Sequence, residues 1–220
     1  MTAADTFAGN ANVYPTFFAA TGPVILRVPT LDDILTLANL THDGLFADAA
    51  DATISWYPAD PTVRARQCAA YLLTAWTPEP VSDRLPFAVI ADGTAVGLQA
   101  LAVKPAPYTV GKTFETGSWL APAARGRRIG TLARQTVLAV AFHVFNAETV
   151  TSSCLPDNVA SAAVSTRCGY DPNGTVVTLM RGRRVTLNRF RLDRATYEAM
   201  DKPHTTVVDG QLLTAHLSPA

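Results

Sequence analysis

The chain has little charge and little cysteine. Only 16% of its 220 residues are Asp, Glu, Lys or Arg, and the two signs balance at 18 each. No global field would therefore draw in a nucleic acid or an anionic membrane surface, and any anion binding has to be local. Three cysteines, Cys68, Cys154 and Cys168, lack CxxC spacing, which argues against a disulfide framework and a zinc ribbon and fits reduced thiols in the cytoplasm. There is no basic N-terminal segment leading into an apolar stretch, and no apolar run approaches the roughly 18 residues of a membrane span. GxGxxG, GxSxG and HExxH are all missing, so dinucleotide, α/β-hydrolase and zinc-protease readings lack their usual signatures, and no metal is expected. Gly111-Lys112-Thr113 looks like the tail of a nucleotide P-loop. However, the place of its first glycine is Ala106, flanked by Pro105 and Pro107, which offer no amides, and a β-like run follows where a helix is needed.

What is present is a hydrophobic fraction of 48%, enough for one moderately large domain with a sizeable core. Residues 1–22, rich in Ala, Thr and Gly, read as an arm that is flexible or docks on a neighbour. Val24 to Val28 read as a strand, and Thr30 with Asp33 as a capping box that opens a helix to about Asn39. A second helix runs from about Thr62 to Ala75 and ends before Pro78 and Pro80. Pro86 to Ala91, Ala95 to Val103 and Thr113 to Leu120 form an antiparallel meander around an Asp92-Gly93 turn. A long helix from Ile129 to Asn146 is apolar nearly all round in its second half and should be covered by a sheet. Thr149 to Leu155 continue as a strand, Ala160 to Thr166 as a helix ended by Gly169, and Val176–Arg181 with Arg184–Arg191 as a hairpin. The domain thus spans 23–200 and is an α/β (α+β) layered fold. Residues 201–220 form a tail or a small hairpin at Asp209-Gly210. Arm and tail are the segments on which a homodimer would be built.

The segment that carries chemistry is Ala124-Arg125-Gly126-Arg127-Arg128-Ile129-Gly130-Thr131, between a strand and the long helix. A glycine-bearing turn that opens a helix leaves several N–H groups unpaired at the positive end of the dipole, which suits phosphate. Arginines are unfavourable at that end of a helix, so three of them point to a bound polyanion, although a solvated basic loop is the plain alternative. About 30 residues on stand Asp157-Asn158-Val159-Ala160-Ser161 and then Arg167-Cys168-Gly169-Tyr170.

Together with Glu115-Thr116-Gly117-Ser118-Trp119-Leu120, these segments, in this order and spacing, resemble the core of the GNAT superfamily, and within it the RimJ/RimL-type branch of protein N-terminal acetyltransferases. The similarity covers about Val24 to Tyr197. It implies a mixed, mostly antiparallel central sheet with helices on both faces, and an acyl-CoA-dependent N-acyltransferase. Acetyl-CoA or another acyl-CoA, such as succinyl-CoA, would be the cosubstrate, and the acceptor a primary amine of a protein N-terminus, a lysine or a small molecule. The resemblance implies that the amides of about Arg125 to Thr131 (Arg125, Gly126, Arg127, Arg128, Ile129, Gly130, Thr131) cradle the pyrophosphate of CoA. The pantetheine arm would lie along Ser118 to Ala121, with Trp119 and Leu120 in contact and Asn158 bonding the cofactor's amides. The family expects glycine where this chain has Arg128.

A neutral amine must attack the thioester, so a base and an acid are sought. Glu115, matching the family's Glu-x-Gly-x-Trp pattern, is the candidate base through a water, or else a solvent-facing strand carboxylate. Ser161, matching Asn-x-x-Ser, is the candidate acid, or else merely near the thiol or the pyrophosphate. Where many relatives carry a tyrosine this chain has Ser165. Asp157 or Asn158 would alternatively just cap the next helix. His143 reads as a packed or helix-face histidine and Cys154 and Cys168 as small buried hydrophobes. Trp56, Tyr57, His42 and Asp43 either line the acceptor site or cover the core. Arg181, Arg183, Arg184, Arg189 and Arg191 alternate along the hairpin as a solvated face would, so no nucleic-acid partner is expected. The competing class of function is a non-catalytic acyl-CoA-binding or regulatory module with the same fold.

Overall fold

The computed structural model describes residues 17–46, 54, 57, 60–76, 84–103, 112–180, 182–202 and 206–209. β1 (Phe18–Thr21) and β2 (Val24–Arg27) form a hairpin. α1 (Leu31–Asp43) opens with the expected capping box: Asp33 N–H donates to the Thr30 hydroxyl, and Thr30 N–H donates to the Asp33 carboxylate. Arg27 clamps the same carboxylate with two bonds of 2.8 Å, tying the helix start to the end of β2. The helix runs past Asn39 until Gly44 ends it at φ +104.

α2 (Pro61–Leu73) starts on an Asp60 cap. β3 (Arg84–Ala91) and β4 (Thr94–Val103) turn on Asp92 and Gly93, both at positive φ as a two-residue hairpin demands. β5 (Thr113–Leu120) follows, then α3 (Ile129–Ala139), which passes into a π-helical turn over Val140–Val144. The long helix thus keeps α geometry only to Ala139. The wider turn buries Val140, Ala141 and Phe142 with Phe145 while leaving His143 exposed.

β6 (Thr149–Cys154), α4 (Val159–Arg167), β7 (Asp171–Met180), β8 (Arg183–Asp193), α5 (Arg194–Ala199) and β9 (Thr206–Asp209) follow. β7 begins five residues before the Val176 expected, because Pro172 pairs with Phe190 and a register shift between Pro172 and Thr175 absorbs Asn173 and Gly174. That is tolerable on an edge strand, where a proline breaks no inner ladder. At the other edge β9 pairs with β1, so Phe18–Thr21 and Thr206–Asp209, from the expected arm and tail, lie in the sheet. Gly210 of the expected terminal turn lies outside the described residues.

Among the described residues nine strands form one sheet, ordered β7-β8-β6-β5-β4-β3-β2-β1-β9. Neighbouring strands run antiparallel except β5 and β6, which α3 joins as a crossover. Alternation along β3 divides the core in two. Leu85, Phe87 and Val89 pack with Val137, Leu138 and Phe142 under α3, whereas Ala88 and Ile90 pack with Ile34, Leu37 and Leu72 under α1 and α2. Helices therefore cover both faces, as expected. No helix among the described residues is long and apolar enough to cross a membrane.

Candidate active site

The parallel pair is where the sheet opens. β5 and β6 are in register from Thr113–Thr149 to Thr116–Ser152, and beyond that point Gly117 to Leu120 have no partner on β6. β5 stays paired with β4 up to Leu120–Gly97. Ala121 N–H donates to Val96 O, which puts odd-numbered residues of β5 in the β4 ladder and turns the N–H and C=O of Ser118 and Leu120 toward the gap. A cleft of about 400 Å³ fills the opening, bordered by Trp119 and Leu120 on β5, Ser153 and Cys154 on β6, Gly130 and Arg134 on α3, and Asn158 and Ser161 at α4.

Gly97 makes room for this geometry. A Cβ there would lie 2.3 Å from Trp119 O, so β4 and the end of β5 could not approach as they do with any other residue.

At the mouth, the turn before α3 places Gly126 at φ +74 and Arg128 at φ +63. Ala124 N–H and Arg125 N–H bond back into the preceding turn, and Thr131 N–H donates to Arg128 O. Between them, the amides of Gly126, Arg127, Arg128, Ile129 and Gly130 have no acceptor among the described residues. No side chain caps α3. The result is a row of free donors at a helix N-terminus, the physical form of an anion nest. The structure also gives the reason for the family's glycine at the position of Arg128: the backbone there is left-handed, where a side chain costs about 1–2 kcal/mol.

The arginine side chains are used differently from one another. Arg125 donates to Leu120 O at 3.1 Å and to Leu45 O, and lies over the Phe46 ring. It holds the segment after α1 against the end of β5 rather than facing the mouth as a free cation. Arg127 pairs with Asp92 at 2.7 Å, both exposed. Arg128 has no partner among the described residues. Ile129 is buried in the core under α3. Thr131 gives its carbonyl to the Cys168 thiol at 3.7 Å.

Asn158 caps α4, its Oδ1 accepting from Ser161 N–H at 3.0 Å, so the capping role is real, and both residues also line the cleft. Ser161 stands beside the Cys154 thiol, which burial pushes up despite that hydroxyl and Arg134. A protonated thiol is a poor nucleophile at neutral pH. Ser165 is fully buried and absent from the cleft wall. Glu115, half-buried, is not part of the wall either, but it accepts from Ser153 Oγ at 3.3 Å, and Ser153 is.

The remaining candidates sort plainly. Tyr57 is buried, with its hydroxyl accepting from Leu45 and Phe46 N–H, so it shapes the segment instead of lining the cleft. Phe46 and Ile54 take that place, and Trp56 lies outside the described residues. His42 is exposed beside Asp43, and His143 contacts the Tyr197 hydroxyl at 3.4 Å away from the cleft. The three cysteines are buried and form no disulfide among the described residues, with Cys68 pushed up to about 12 and Cys168 to about 11 by burial.

The residue that sequence reasoning missed is Arg134. It is 2% exposed and lines the cleft at its closed end. The available signal was helical spacing: Arg134 stands four residues after Gly130, on the stripe of α3 that faces the opening.

The family model for the acetyltransferase (GNAT) domain matches residues 24–171. The chain belongs to the GNAT acetyltransferase family. Solved structures of similar fold include Mycobacterium smegmatis RimJ in complex with CoA-disulfide, 18% identical with a TM-score of 0.67 over 82% of this chain and 88% of that one. The microcin C7 self-immunity acetyltransferase MccE, in complex with acetyl-CoA and AMP, is 17% identical with a TM-score of 0.64 over 78% and 93%. A chimera of spermidine N-acetyltransferase SpeG from Vibrio cholerae and hSSAT is 15% identical with a TM-score of 0.63 over 81% and 100%. This GNAT protein is thus an N-acetyltransferase by family.

Proposed function

We propose that the protein moves a short acyl group from CoA to a primary amine by direct attack while both substrates are bound. One observation carries the reading: five consecutive free amides, Gly126 to Gly130, stand at the mouth of a cleft formed where β5 and β6 separate. The nest matches a pyrophosphate, and the outward N–H and C=O of Ser118 with the N–H of Leu120 match a pantetheine arm laid down as an added strand, the Leu120 carbonyl being held by Arg125. These residues fit an acyl-CoA, which supplies the acyl group as a thioester. The N–C bond forms as the C–S bond breaks, and CoA leaves as the thiol.

The chain's own groups then have defined tasks. Glu115, linked to the cleft wall through Ser153, takes the ammonium proton through a water. Ser161, in the wall, delivers a proton to the departing sulfur. A cleft-facing N–H of β5 donates to the thioester oxygen as negative charge builds there. The acceptor enters from the side of Phe46 and Ile54, and is the N-terminus of a protein, a lysine or a small amine. Absence of a catalytic role would leave an acyl-CoA-binding module of the same fold.

The test is titration calorimetry with CoA and acetyl-CoA, followed by a thiol-release assay on a panel of peptide N-termini and polyamines. Micromolar binding with CoASH release in the presence of an amine supports the reading. Binding with no release for any amine favours the binding module, and no binding at all removes the proposal. Glu115→Gln should cut turnover by about 100-fold with little change in CoA affinity. An unchanged rate would remove Glu115 as the base.

A further inference from the structure

Arg134 is a buried cation with no carboxylate paired to it among the described residues. Its Nη1 donates to Ser152 Oγ at 3.0 Å and its Nη2 to Ser118 Oγ at 3.4 Å, while Nε, equally buried, has no partner. The guanidinium lies over the Tyr170 ring at 5.8 Å. Burial pushes the Tyr170 hydroxyl up, Arg134 and Thr116 notwithstanding, so the ring is neutral at physiological pH and supplies no counter-charge. Every group that Arg134 touches is uncharged. Removing a cation from water is costly unless an anion or a full set of acceptors replaces the water.

The position of this charge says what it would meet. Ser152 belongs to the last β5–β6 pair and Ser118 stands two residues past the other member, Thr116, so Arg134 bridges the two strands where the cleft closes. The phosphate nest is at the opposite, exposed end. A pantetheine arm entering from that nest brings its acyl group to the closed end. A leaving thiolate would also be negative there, but only transiently, whereas the guanidinium stands in the resting protein and is offset only by a standing anion. A carboxylate fits the planar fork of Arg and would take the donors, Nε among them, that the two serines and the Tyr170 hydroxyl leave free.

We infer that Arg134 sets donor preference by receiving a carboxylate on the acyl group, so that the favoured cosubstrate is the CoA thioester of a dicarboxylic acid rather than of acetate. This rests on the acyl-CoA reading above and specifies its donor.

The experiment compares free CoA, acetyl-CoA, butyryl-CoA and succinyl-CoA by titration on the full chain, on Arg134→Met and on Arg134→Lys. Succinyl and butyryl chains have the same carbon count and differ in the terminal carboxylate. Succinyl-CoA should bind the parent about ten-fold or more tighter than butyryl-CoA. In Arg134→Met that ratio should collapse to about two-fold or less with free CoA held within about three-fold, and Arg134→Lys should restore part of it. The parent comparison needs no variant to fold. Acetyl- or butyryl-CoA binding the parent as tightly as succinyl-CoA overturns the inference and leaves the acyl-CoA reading standing. Failure of all four ligands to bind overturns both.

Discussion

The two ends of the cleft present positive charge in opposite ways. At the mouth, three arginines crowd one turn, yet Arg125 is spent on the carbonyls of Leu45 and Leu120 and Arg127 on Asp92, and the donors left free among the described residues are backbone amides and the Arg128 guanidinium. At the closed end a single arginine, inconspicuous in the sequence, is buried among hydroxyls with no acid paired to it among the described residues. The density of arginine in a sequence therefore does not locate the working charge. Backbone geometry makes one end of this site, and burial makes the other.

The largest effect should come from filling the nest. A Cβ on Gly130 would make only ordinary contacts, 3.5 Å to Leu120 Cδ1 and 3.8 Å to Val164 Cγ2, so Gly130→Ala should fold and bind CoA within about three-fold of the parent. Gly130→Glu pushes a carboxylate into the same space and against the incoming pyrophosphate, and should weaken CoA by about 100-fold in titration. Equal affinity in both variants would show that phosphate does not sit there.

At the closed end, Arg134→Met should raise the stability of the free protein by about 1–3 kcal/mol in urea unfolding, because an unpaired buried charge is replaced by an apolar chain of similar volume. A loss of stability would mean that the hydroxyls already satisfy the guanidinium. Residues that serve a ligand often sit at such a cost to the unliganded fold.

Smaller effects separate the three arginines of the turn. Arg125→Ala should destabilise by about 1–2 kcal/mol through the two freed carbonyls. Arg128→Gly should add about 0.5 kcal/mol, the relief of the left-handed backbone less the entropy of glycine in the unfolded chain. Arg127→Ala, which breaks only an exposed pair, should stay within about 0.5 kcal/mol and about two-fold in CoA affinity. Equal losses of CoA affinity in all three would restore the side chains as the main phosphate ligands.

A final contrast lies outside the cleft. Burial pushes the Asp33 carboxyl up, but the bonds from Arg27 and Thr30 more than offset this and hold it below the usual carboxylate range. Its folded pKa being depressed, the stability it confers is complete above about pH 4 and is lost as pH falls through the folded value. Asp33→Asn should flatten that acid limb in a pH series of unfolding midpoints, a limb that persists unchanged in the Arg134 variants.

Much of this was legible in the sequence wherever local chemistry dictates structure. The Thr30–Asp33 box, the Asp92-Gly93 turn and the Thr113–Leu120 strand stand where their residues place them. The turn of unpaired amides before α3 was legible as well, because the first N–H groups of a helix have no partner within it. What could not be read depends on contacts distant in sequence. Arg125 reaches Leu45 across 80 residues, and Arg134 is isolated from the acids of the described residues only once β5, β6 and α3 meet. Nor does a local reading reveal that an edge position lets β7 carry Pro172, or that β9 returns to pair with β1.

The most direct test is a ¹⁵N–¹H NMR titration of the labelled full chain with CoA, following the amides of Gly126, Arg127, Arg128, Ile129 and Gly130. They should move downfield together and gain protection from exchange, while Arg125 and Thr131, whose N–H groups are already bonded, shift least in the turn. Saturating CoA that leaves those five amides unmoved would contradict the account, because the phosphates would then be held elsewhere.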